Sequence, residues 1–175
     1  MIEKEFIRIV QQKVAVSAVG PSALRGQGVG VLHATQAVLQ ELDFFRIPDN
    51  SNKEFVKWLD QKTNIILRRL PVENNPWGAA RKALNLFLRD VFYNRYLYTN
   101  SNIQNVENWL EIPLDSAVAK GLKQNDLLGT LPKWPGLKHL SKKVSNKYQT
   151  IALKIAQSKD ISRVHLDMIF WLENR

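Results

Sequence analysis

Two residues in this chain carry side chains and settings suited to bond cleavage. Lys82 lies in "NPWGAARKALNLFLRD" (75–90), where a turn with one glycine leads into an apolar-periodic run. The pattern predicts a helix with Lys82 in its first turn. That end of a helix opposes positive charge, and partial burial adds to the effect, so both ease removal of the amine's proton and free its lone pair. Asp115, in "EIPLDSAVAKGL" (111–122), opens a second predicted helix behind Pro113 in an apolar context. A carboxylate there can stabilise a cationic intermediate or activate an amine or a water. The turn before Lys82 also offers backbone N–H groups at a helix start, suited to binding a phosphate. The bland reading of Lys82 is an exposed lysine on a packing helix.

Other stretches carry weaker chemistry. "GQGVG" (26–30) lacks a preceding strand and a following Lys-Ser/Thr, so it reads as a flexible helix entry and not as a phosphate loop. Arg25 and Gln27 beside it either approach a ligand or face solvent. "FYNRYLY" (92–98) interleaves four aromatics with Arg95, a mixture that either stacks unpaired bases or forms the core and rim of a helix. No G-x-S-x-G elbow is present. His33, His139 and His165 stand far apart without metal-ligand spacing. The chain has no cysteine, which excludes disulfides, thiolate zinc sites, iron–sulfur clusters and a cysteine nucleophile.

The elements that must position these residues read as helices throughout. Ile2, Phe6, Ile9, Val10 and Val14 share a face, and "GPS" (20–22) closes that helix and offers Ser22 as a cap for another. Val31 to Leu42 repeats at three-and-four spacing. Asn52 is expected to cap a helix bearing Phe55, Leu59, Ile66 and Leu70 that stops before Pro71. A long helix with Ala80, Leu84, Phe87, Leu88 and Val91 inward runs on through "FYNRYLY". "VENWLEI" is a short helix, 115–122 another, and Ser141 or Ser145 opens a helix carrying Tyr148 and Ala152. A last helix holds Ile161, Val164, Met168, Trp171 and Leu172. The expected fold is therefore all-α: one two-lobed domain over 1–175, about seven to eight helices.

With 25 Lys+Arg against 16 Asp+Glu the net charge is +9, a balance that attracts polyanions. Nine lysines and a single acid, Asp126, fall between Lys120 and Lys159, so this segment is the expected basic face, or else a merely solvated one. The opening segment carries charges among its apolar positions and reads as neither a signal peptide nor a membrane span, so a cytoplasmic protein with no membrane partner is expected.

"ARKALN" followed by "IPLDSAV" resembles the helix-hairpin-helix DNA glycosylase superfamily, whose members show a hairpin of the type L-P-G-V-G-R-K-T-A-N and then V-P-V-D-T-H-V. Pro76, Gly78, Arg81, Lys82 and Asn85 match the first motif, and Pro113, Asp115 and Val118 the second. The resemblance implies a two-lobed helical fold with the hairpin near 66–90 and a DNA groove between the lobes. It places Lys82 where bifunctional members keep the amine that attacks the sugar C1′, and Asp115 where members keep the essential carboxylate. It further implies a phosphate held by the N–H groups of Gly78 and Ala79 with help from Arg81. Lys133 and Lys138 are assigned to DNA contact, and Arg25, Gln27, Trp77 and Trp134 to the base pocket. The implied protein is a monomeric glycosylase and lyase acting on double-stranded DNA, with no iron–sulfur cluster and with room for a monovalent cation at the hairpin. Two other readings stay open: a non-catalytic helical nucleic-acid-binding module using the 120–159 lysines, and a basic protein-binding adaptor.

Overall fold

Pro76 caps the central helix, where its missing N–H costs nothing and its ring fixes the entry angle. From Gly78 to Leu88 every residue of this helix is buried, so it is wrapped on all sides. The computed structural model describes residues 2–72 and 76–173. In chain order the α-helices are α1 (Ile2–Ala18), α2 (Val31–Glu41), α3 (Asn52–Arg69), α4 (Trp77–Tyr93), α5 (Arg95–Thr99), α6 (Ser116–Asn125), α7 (Lys142–Ser158) and α8 (Leu166–Glu173). A seven-residue 3₁₀ helix spans Ile103–Trp109, and single 3₁₀ turns fall at Leu137–His139 and Arg163–His165. Among the described residues there is no strand, and no helix is long and apolar enough to cross a membrane.

Two apolar clusters divide the interior. One joins α1 to α4 through Val14, Leu39, Phe44, Phe55, Leu59, Ile66 and Phe87. The other joins α6, α7 and α8 through Ile112, Val118, Leu122, Tyr148, Ala152 and Phe170. The second cluster is tight: the Phe170 ring fills the space in which a side chain at Gly121 would sit. Leu137 touches both clusters, and α4 lies along their boundary. Lys82 thus belongs to one side of that boundary and Asp115 to the other.

The inward faces of α3, α4 and α7 follow their apolar periodicity, but four expectations need correction. On α1, Phe6 and Ile9 are exposed while Gln11, Val14, Ala15 and Ala18 face inward. Gln11 turns that face in because its amide donates to Leu39 O at 3.0 Å and Leu42 O at 2.8 Å, closing the end of α2. Ser51, not Asn52, caps α3, accepting from Glu54 N. The long helix breaks at Asn94, whose side chain accepts from Tyr96 N and Leu97 N and starts α5. The aromatics of "FYNRYLY" are accordingly spread over two helices, Phe92 packing edge-on against Tyr98 and Tyr96 against Phe6. On α8 the buried residues are Leu166, Asp167 and Phe170, with Met168, Trp171 and Leu172 outward. That helix is apolar on both faces, so periodicity could not choose between them.

Candidate active site

Asp115 is the N-cap of α6. Its Oδ1 accepts from Ala117 N at 3.0 Å and Val118 N at 2.9 Å, satisfying two of the amides that a helix start leaves without partners. Oδ2 is left facing Lys82, whose Nζ lies 3.2 Å away. The lysine side chain is 8% exposed and the aspartate 35%, so the pair is sealed on the amine side and open on the carboxylate side. Lys82 Nζ also donates to the main-chain oxygen of Ala23 at 3.0 Å. Amine and carboxylate, 33 positions apart in the chain, therefore share one site. Lys82 stands in the second turn of α4 and not the first, however, and the field of a helix end fades within one turn. Asp115 and the Ala23 carbonyl are the polar groups in direct contact with the amine among the described residues.

The neighbours in sequence hold the pair in register. Arg81, one residue before Lys82, donates through Nε to Glu111 Oε2 at 2.9 Å, through Nη2 to Asp60 Oδ1 at 3.0 Å and through Nη1 to Thr63 Oγ1 at 2.8 Å. Asn85 adds a bond to the same Glu111 oxygen at 3.0 Å. Glu111 begins the extended segment that ends at Asp115, so this charge network ties α4 and α3 to the aspartate's own stretch of chain. Gln149 of α7 clamps the segment from the other side, accepting from Ile112 N at 3.1 Å and donating to Ile112 O at 2.8 Å. Arg163 donates to Trp109 O and Leu110 O, and burial pushes its guanidinium below the usual arginine range. Gln149→Ala is expected to lower stability by about 2–3 kcal/mol, because two buried backbone groups lose their partners. Thermal unfolding reads that loss, and hydrogen exchange at the Ile112 amide should accelerate with it.

Three of the expected phosphate contacts take other roles. The Arg81 guanidinium is buried and engaged with Glu111, Asp60 and Thr63, so it serves as a scaffold and is not presented to a DNA backbone. Gly78 and Ala79 are buried, Gly78 beneath the 137–140 turn: a side chain there would come within 2.4 Å of the Leu137 oxygen and 2.7 Å of Leu140 Cβ. Gly78 is glycine so that this turn can lie against α4. Residues 73–75 of the hairpin, at which a monovalent cation was expected, lie outside the described residues. Trp77 packs on Arg81, 5.3 Å from ring to guanidinium, and Trp134 meets Tyr148 edge-on at 5.4 Å, so both serve the second core. Arg25, Lys133 and Lys138 are exposed. Gln27 is buried, and its Oε1 has no hydrogen-bond partner among the described residues.

The sequence reading missed Asp167 and Arg89. Asp167 is buried on α8 and takes a charged hydrogen bond from Arg89, which also pairs with Asp90 at 2.7 Å. Burial raises the Asp167 carboxyl above the ordinary range. Arg89 offsets part of that rise, and the charges of Asp115 and Lys82 also act on the group, which places a second carboxylate in the field of the pair. Beyond it, Tyr93 Oη lies 2.8 Å from His165 Nδ1, and His165 Nε2 lies 3.1 Å from Glu107 Oε1. The only signal in the sequence is an acid inside the apolar run "HLDMIFWL". Among the described residues no group of three or more His, Cys, Asp or Glu is placed to hold a metal ion.

No protein-family model matches this chain, and no curated protein or solved structure matches it. Fold and site together define a helical protein with a half-buried lysine–aspartate pair at the junction of two cores.

Proposed function

We propose that this chain is a DNA base-excision enzyme that breaks an N-glycosidic bond and then nicks the strand through a lysine Schiff base. The reading is carried by one observation, the 3.2 Å approach of Lys82 Nζ to Asp115 Oδ2 at a site closed around the amine and open at the carboxylate. In this mechanism a nucleotide is extruded from duplex DNA to reach the site, at an unstacking cost lowest for a damaged or mispaired base. Lys82 passes a proton to Oδ2, and its lone pair attacks C1′. The C1′–N bond breaks, and its electron pair leaves with the base, which takes the proton from Oδ2. Asp115, anionic again, stabilises the positive charge on the sugar. As the ring opens, one proton passes from the attacking nitrogen to O4′, which gives a protonated Schiff base. Loss of a C2′ proton then expels the 3′ phosphate.

Because Gly78, Ala79 and Arg81 are covered or paired, the DNA backbone is assigned to exposed lysines, Lys133 and Lys138 among them. Replacing both by alanine is expected to weaken duplex binding at all sequences alike and to reduce the slope of log K against log salt by about two, roughly one per lost phosphate contact. A fluorescence titration at several salt concentrations measures it.

The test of the activity is a panel of duplexes, each with one altered base or one abasic site, scored for nicking without alkali and for adducts trapped by borohydride. Cleavage of at least one member supports the enzyme. Salt-dependent binding with no cleavage and no adduct on any member would leave the alternative reading, a non-catalytic nucleic-acid-binding module, which the run of lysines from 120 to 159 also suits.

A further inference from the structure

The turn 20–30 between α1 and α2 is built more tightly than a helix connection needs. Ala23 N bonds to Gly20 O at 3.0 Å and Gln27 N to Leu24 O at 3.2 Å, while the Leu24 side chain is buried in the first core. Gly28 has φ of +120°, and a Cβ there would meet Val72 Cγ1 at 2.8 Å, so the strap is wedged against the connection that leads into α4. At its other end the strap presents the Ala23 carbonyl to Lys82 Nζ at 3.0 Å, across 59 positions of sequence.

We infer that this strap is the positioning element for Lys82, acting through the Ala23 main-chain oxygen. The inference rests on the reading of Lys82 as the reacting amine. An ammonium carries three protons and a neutral amine two, so the bond to Ala23 persists when one proton passes to Asp115. The nitrogen then keeps its place, and the lone pair that appears is directed toward the carboxylate side, where the pair is open. A lysine without this tether has four rotatable bonds and loses its attack geometry, and a displacement near 1 Å can cost about a hundredfold in rate.

The test weakens that one acceptor. Translating the protein with leucic acid in place of Leu24 converts the 23–24 peptide to an ester, whose carbonyl accepts hydrogen bonds less well. Gly28→Ala moves the strap by sterics and by its backbone conformation. Gly20→Ala is the control, since a Cβ there meets nothing within 4 Å and its φ is ordinary. In the ester protein and in Gly28→Ala, the rate constant for trapping on an abasic duplex should fall about tenfold or more with KM unchanged. Reductive methylation of Lys82 by formaldehyde, read by peptide mass spectrometry, should become several-fold faster as the amine is released. Gly20→Ala should match the wild type in both. If the ester protein also matches it in both, the strap has no hold on the amine and the inference is overturned. Methylation needs no DNA: should the wild type form no adduct, the enzymatic reading falls, and the methylation rates alone decide whether the strap restrains Lys82.

Discussion

Lys82→Gln is expected to abolish the covalent adduct that borohydride traps between the protein and abasic-site DNA, a loss of about a thousandfold or more, the scale seen when a single nucleophile is removed. Glutamine is a neutral side chain one bond shorter than lysine that keeps polar N–H groups, so the fold and DNA binding should survive. Asp115→Asn separates the roles further. Its side-chain oxygen can still accept from Ala117 N and Val118 N, keeping the cap of α6, while the charge beside the amine disappears. Base release should then fall about a hundredfold or more, with a modest loss of binding. The measurement is single-turnover cleavage and trapping on one duplex for all three proteins. Adduct formation by Lys82→Gln at the wild-type rate would show that another amine reacts and remove the assignment.

Arg81→Met is expected to be among the most destabilising single changes in the molecule, about 3–5 kcal/mol, because buried Glu111 would lose its charged hydrogen bonds and keep the Asn85 amide and the charge of Arg163. For a chain of this size that corresponds to a melting temperature lower by roughly 10 °C or more. Lysine should not rescue it, since a single ammonium cannot reach Glu111, Asp60 and Thr63 in the planar geometry of a guanidinium. A second change, Glu111→Leu, should recover much of the loss by removing the stranded charge. Activity should fall more steeply than the folded fraction, since Glu111 begins the segment that delivers Asp115. Equal destabilisation by Arg81→Met in the Glu111→Leu background would show that the two charges do not depend on one another.

These expectations mark where the sequence could be read. Leu84, Phe87, Leu88 and Val91 recur at helical spacing on a helix buried nearly all round, so apolar periodicity and burial agree. The same rule misjudged α1 and α8. Gln11 faces inward because α2 offers it two carbonyls, and α8 has apolar residues on both faces, so its neighbours chose which to bury. Arg81 and Lys82 look alike as letters in a basic pair. Their fates differ because adjacent helix positions point about 100° apart, one toward Asp60 and Glu111 and the other toward Asp115 and Ala23.

The sequence by itself determined the all-helical architecture, the absence of thiol and disulfide chemistry, the excess of positive charge, and Asp115 at the start of a helix. These properties are local: they depend on residue type and on spacing within a turn or two. Only the tertiary structure decided that Lys82 and Asp115 meet, that Gly78 makes room for the 137–140 turn and not for a phosphate, and that Asp167 and the Ala23 carbonyl join the surroundings of the amine. Those are contacts between segments tens of residues apart, set by how two cores pack along α4, and no short-range pattern encodes the angle at which they do so.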